Sequence, residues 1–150
     1  MSLSDRLTHD IAEAMKAREP IRLSALRMAK AALVNAAVSK GRELQESESQ
    51  QVLASLIKQR RDSIDQFRAA GRQDLVERES AEIAVLETYA PPAASQADLE
   101  TAVSAAIKET GASTPKDVGR VMKVVMSALA DRTVDGKAVN ELVRKKLSGN

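Results

Sequence analysis

The side chains able to do chemistry in this 150-residue chain are few, and their types narrow what that chemistry is. There is one histidine, His9, and no cysteine. A thiol nucleophile, a thiolate metal site and a disulfide framework are thereby excluded. His9 falls on the exposed flank of a helix-patterned segment and reads as a solvated side chain rather than a member of a catalytic triad. The sequence holds no P-loop, no glycine-rich dinucleotide fingerprint and no nucleophile elbow. Glu79 and Glu82 are spaced for acid–base work, but no pocket or partner pattern accompanies them, and ion pairing is the better reading. No catalytic residue, metal ligand or cofactor is assigned.

What remains is cationic, in two places. The first is the stretch Ser47–Tyr89, read as two antiparallel helices turning at Ala69-Ala70-Gly71-Arg72, with Lys58, Arg60 and Arg61 set against Glu77, Glu79 and Glu82. Arg60 stands eleven residues before Gly71 and Glu82 eleven after it, so the two share a level in the hairpin; Arg61 and Glu79 lie within a turn of each other. Arg60 and Arg61 therefore read as partners of Glu79 and Glu82 that fix the register, worth about 0–1 kcal/mol per exposed pair. The competing reading is a phosphate-binding surface made of Lys58, Arg61, Arg68 and Arg72, with Asp62 and Asp65 weakening its field.

The second place is the tail. The net charge is +2, but from Thr114 onward eight Lys/Arg stand against four acids, leaving that stretch at +4 and the residues before it at −2. Lys116, Arg120 and Lys123 recur at i, i+4 and i+7, opposite Val118, Val121 and Val125. Arg144, Lys145 and Lys146 cluster near the chain's end. One reading is a solvated helix face, with cations favoured near a helix C-terminus. The other is contact with an RNA backbone through phosphate and shape. With one Phe (Phe67), one Tyr (Tyr89) and no Trp, stacking on unpaired bases has few residues to work with.

The elements that must position these groups are all helical. A core poor in aromatics and rich in Ala, Leu, Val, Ile and Met suits packed helices better than a sheet. The first helix is expected from Ser2 to Arg18 with Leu3, Leu7, Ile11, Ala14 and Met15 inward. A second from Pro20 to Lys40 turns Leu23, Leu26, Ala29, Leu33, Val34 and Ala37 inward. A third is capped near Ser47 and carries Leu53, Leu56, Ile57, Ile64 and Phe67, with Arg60 breaking the stripe. A fourth carries Val76, Ile83 and Leu86, with an Asp74–Arg78 pair on its surface. Pro91-Pro92 marks the boundary between residues 1–90 and 91–150. Three shorter helices follow, started by Ser95, by Thr114 with Pro115, and by Asp135-Gly136. The N-terminus has no apolar signal core, and no run approaches the ~18 apolar residues of a membrane span. With the missing cysteines, this points to a cytoplasmic protein without a membrane partner.

Several segments together resemble the YqeY-like proteins, over essentially the whole chain. In the first part these are Arg27-Met28-Ala29-Lys30-Ala31-Ala32-Leu33, Lys58-Gln59-Arg60, Gly71-Arg72-Gln73-Asp74-Leu75, Glu79 and Glu82-Ile83. In the second they are Gly119-Arg120-Val121-Met122 and Asp135-Gly136-Lys137-Ala138-Val139-Asn140. The second part is also similar to the tail domain of the B subunit of the tRNA-dependent amidotransferase. The resemblance implies an all-α fold, an N-terminal bundle of long helical hairpins followed by a small three-helix C-terminal domain. It implies a tRNA-binding accessory module related to glutamine-dependent amidotransferases, without a self-contained active site, although the family label is carbon–nitrogen ligase with glutamine as amide donor. The tRNA contacts would fall to Lys116, Arg120, Lys123, Lys137, Arg144 and Lys145. The alternative is a protein-interaction module that docks on amidotransferase subunits or another translation protein.

Overall fold

The computed structural model describes residues 1–149 and contains, among them, seven α-helices and no strand: α1 Leu3–Ala17, α2 Pro20–Lys40, α3 Glu46–Ala69, α4 Gln73–Glu87, α5 Gln96–Thr110, α6 Val118–Ala128 and α7 Gly136–Leu147. The all-helical expectation is met. The contacts divide the chain into two compact units, Met1–Ala90 and Pro91–Asn150.

In the first unit α1 packs on α2, α3 on α4, and α2 against both α3 and α4. The Ser2 hydroxyl starts α1 by accepting the Asp5 amide at 3.1 Å, and the Asp5 carboxylate accepts the Ser2 amide in return. Arg18 ends the helix in the left-handed conformation at φ 55°. Pro20 opens α2, where a missing N–H leaves nothing unpaired. Leu3, Leu7, Leu26, Leu53 and Leu86 are fully enclosed, with Ala14, Ala25 and Ala29 letting the helices approach closely. Two residues expected inside are not: Met15 is 53% and Val34 48% exposed, each at the edge of its stripe. At the tip of the α3–α4 hairpin Gly71 takes φ 72°, which a side-chain-bearing residue adopts only with strain.

Helix α3 is capped two residues earlier than Ser47. Gln45 is the cap, and its amide donates to the Glu48 carboxylate at 2.9 Å. Glu48 is held in turn by Lys40 at 2.7 Å and Arg42 at 2.8 Å. The expected Asp74–Arg78 pair does not form, since Asp74 turns back to Arg72 at 3.0 Å and Arg78 lies 3.6 Å from Glu82.

The second unit has its own core of Leu99, Val103, Ala106, Val118, Val121, Val125, Val139, Val143 and Leu147. Ser95 caps α5 through the Asp98 amide at 3.0 Å. Thr114-Pro115 opens a 3-10 turn, Pro115–Asp117, rather than the α-helix itself, which starts at Val118. A single parallel bridge joins Ala93 to Thr133, and Thr133 donates its amide to Pro92 O at 2.9 Å.

Candidate nucleic-acid interface

The cations of the hairpin are mostly consumed by its own acids. Arg60, half-buried on the inward stripe of α3, lies 3.6 Å from Glu79, which accounts for a charge at a core position. Arg61 pairs with Glu87 rather than with Glu79 or Glu82. Glu82 points inward, is buried, and accepts the Ser24 hydroxyl of α2 at 3.0 Å. Arg68 meets Asp65 at 3.3 Å. Arg72 meets Asp74, and the hydrogen bond between them holds the Asp74 carboxyl below its usual range. Of Lys58, Arg61, Arg68 and Arg72, only Lys58 makes no ion pair among the described residues. A phosphate would have to displace a carboxylate at each of the other three.

The second unit is arranged differently, and helix starts are the reason. Three of its acids, Asp98, Asp117 and Asp135, stand at the N-termini of helices, where backbone amides need acceptors. Asp98 accepts the Ser95 amide at 3.0 Å and donates its own backbone amide to the Ser95 hydroxyl at 3.0 Å; hydrogen bonding to Ser95, then Arg132 at 3.1 Å, lowers its pKa. Asp117 accepts the Ser113 and Thr114 amides at 3.1 and 3.4 Å, which lower its pKa, and also takes Arg120 at 2.9 Å. Asp135 accepts the Lys137 amide at 3.0 Å.

With these acids engaged at the caps, Lys116, Lys123, Lys137 and Lys145 stand exposed without an ion pair among the described residues. Arg144 is exposed and donates to Asn140 Oδ1 at 2.7 Å. Arg120 is exposed, but shared with Asp117. Lys123 and Arg120 lie on the side of α6 away from buried Val118, Val121 and Val125, with Lys116 in the turn just before it. Lys137, Arg144 and Lys145 occupy the outer side of α7, away from Val139, Val143 and Leu147. Glu141 stands among these last three, so the α7 face is diluted, whereas α6 carries no acid at all between Val118 and Ala128. Helices α6 and α7 pack directly together. The sequence reading missed Met126, 39% exposed on the same outer face of α6; its position three residues after Lys123 was the available signal.

His9 is exposed on α1. Among the described residues no three His, Cys, Asp or Glu side chains converge as a metal site would require, and no helix is long and apolar enough to cross a membrane. Two open grooves border the hairpin: one of about 280 Å³ between α2 and α3, lined by residues including Ala32, Val52, Leu56 and Gln59, and a larger one of about 500 Å³ between α2 and α4, lined by Pro20, Ile21, Asp74, Glu77 and Arg78.

These features define an all-α protein whose second unit presents a cationic helix surface. The chain belongs to the YqeY-like family: a family model described as Yqey-like protein matches residues 4–147. Among curated proteins it is similar to "Altered inheritance of mitochondria protein 41, mitochondrial" from several fungi. The Pyrenophora tritici-repentis protein is 30% identical over 144 residues, covering 93% of this chain and 78% of the relative. The Kluyveromyces lactis protein is 33% identical, covering 95% and 78%. The Lachancea thermotolerans protein is 34% identical over 112 residues, covering 73% and 60%.

Those names correct the cytoplasmic expectation, because the relatives are designated mitochondrial. The two features behind that expectation do not discriminate. Cysteine-poor chains suit any reducing compartment. Mitochondrial targeting segments are amphipathic and arginine-rich, so a missing apolar core carries no information about them.

Proposed function

We propose that the protein is a tRNA-binding accessory module related to glutamine-dependent amidotransferases, which engages the sugar–phosphate backbone through the basic faces of α6 and α7. One observation carries the reading: Asp98, Asp117 and Asp135 are spent on helix caps, and Lys116, Lys123, Lys137 and Lys145 stand exposed without an ion pair among the described residues. In the hairpin the opposite holds, with a carboxylate on nearly every arginine. Lys58 and the Arg68–Arg72 corner are at most a secondary contact. Charges held this way recognise phosphate spacing and duplex shape rather than base sequence. The reading assigns no chemical step to the chain; any amidation belongs to an enzyme it would assist. We take the setting of that tRNA from the relatives, which are named as mitochondrial proteins.

The test is a mobility shift with tRNA while salt is titrated. Binding must weaken steeply between about 50 and 200 mM salt, as phosphate-dominated binding does. Changing Arg120 and Lys123 together to Ala must weaken it further and flatten the salt slope by about two ionic contacts. No binding at low salt, or no change in the double variant, refutes the reading. The competing role, docking on amidotransferase subunits or another translation protein, would instead show partners retained from nuclease-treated extract.

A further inference from the structure

The outer face of α6 holds a glycine that its own unit does not need. Gly119 is exposed, has no positive φ, and a Cβ built on it meets no atom within 4 Å. Alanine would fit there without strain and would be the better helix former. At helical spacing Gly119 sits at the centre of the solvent-facing side. Lys116 stands three residues before it, Lys123 four after and Met126 seven after, while Val118, Val121 and Val125 face the core. The result is a bare patch of helix backbone flanked by two lysines that make no ion pair among the described residues, with Arg120 to one side and an exposed thioether at its far end.

We propose that Gly119 is the point of closest approach for the RNA backbone. A ribose–phosphate strand would lie across the bare turn with its phosphates between Lys116 and Lys123 and its apolar ribose edge against Met126. This rests on the RNA-binding reading above and narrows it to one helix. Charge selects the occupant: the face carries cations and no acid, and the acid nearest in sequence, Asp117, is already held by Arg120 and two backbone amides. A strand of phosphates matches that pattern. Gly119 acts as a positioning residue, by leaving room rather than by making a polar contact.

The experiment uses the full chain and a fluorescently labelled tRNA transcript, with Gly119→Ala, Gly119→Leu and Lys123→Ala read by anisotropy across a salt series. Adding bulk at Gly119 is expected to lower affinity about tenfold for Ala and further for Leu, while the thermal midpoint stays level or rises. The salt slope stays that of the parent, because no cation is lost; Lys123→Ala lowers the slope by about one. If the parent binds and both Gly119 variants bind as tightly, the close approach is wrong and the broader RNA reading stands. If the parent fails to bind at low salt, both fall. A midpoint that drops in step with affinity would show a structural glycine and overturn the proposal.

Discussion

Glu82 is the residue whose environment departs furthest from what its type suggests. It lies on α4 with a side chain only 6% exposed, accepts the Ser24 hydroxyl at 3.0 Å, and has the Arg78 guanidinium at 3.6 Å. Truncating it removes the acceptor from a half-buried hydroxyl and opens space between α2 and α4. Glu82→Ala is therefore expected to destabilise the protein by about 1–3 kcal/mol. Glu82→Gln should cost less, because its amide oxygen still accepts from Ser24. Urea unfolding of the two variants checks this, and an alanine variant within about 0.5 kcal/mol of the parent would contradict it. Half of this arrangement was legible in the sequence. Arg60 breaks a hydrophobic stripe, which marks the need for a partner across the hairpin, but counting outward from Gly71 set it beside Glu82, whereas Glu79 takes it. The inward turn of Glu82 was not legible, because its partner Ser24 lies on another helix and nothing local marks the contact.

Among the elements, the α2–α3 corner shows how helix ends are decided by charges that a cap table ignores. Ser47 and Ser49 are better caps by type than Gln45. Glu48 nevertheless sets the start, because Lys40, Arg42 and the Gln45 amide all converge on its carboxylate. Hydrogen bonds from Arg42, then Lys40, then Gln45 push its pKa far below the ordinary 4.5. A depressed carboxylate pKa stabilises the fold fully above the unfolded value, and that contribution is lost as pH falls toward the folded one. The thermal midpoint of the first unit should thus hold above about pH 5 and decline below the ordinary glutamate range of about 4.3–4.5. Glu48→Gln should lower the midpoint at pH 7 and make the acid decline shallower. Parallel curves for parent and variant from pH 7 to 2 would refute the corner's role. Helix existence was readable from apolar spacing at every element, since each stripe is long and periodic. Starts and surface pairs were less so: the 3-10 turn before α6 and the Arg72–Asp74 pair both depend on side-chain reach, which spacing does not encode.

At the scale of the whole molecule, Pro91-Pro92 falls between two separate sets of buried side chains, one built on Leu7, Leu26, Leu53 and Leu86, the other on Val103, Val121, Val125 and Val143. The proposed function places the binding surface on the second set alone. Its core is small and made mainly of valines, and a unit of this size is marginal by surface-to-volume scaling. A domain division at these prolines therefore makes a joint prediction about stability and binding. Val125→Ala should cost about 1.5–3 kcal/mol and lower a calorimetric transition assigned to the second unit, with tRNA affinity lost above that transition while much of the helical signal persists. Leu26→Ala should cost about 2–5 kcal/mol and lower a different transition, leaving tRNA binding intact at temperatures where the second unit is folded. Should both substitutions shift one common transition equally, the units unfold together and the division at Pro91-Pro92 has no thermodynamic meaning. Should Leu26→Ala abolish binding while Val125→Ala spares it, the RNA surface belongs to the first unit, and the paired arginines of the hairpin must then exchange their carboxylates for phosphates.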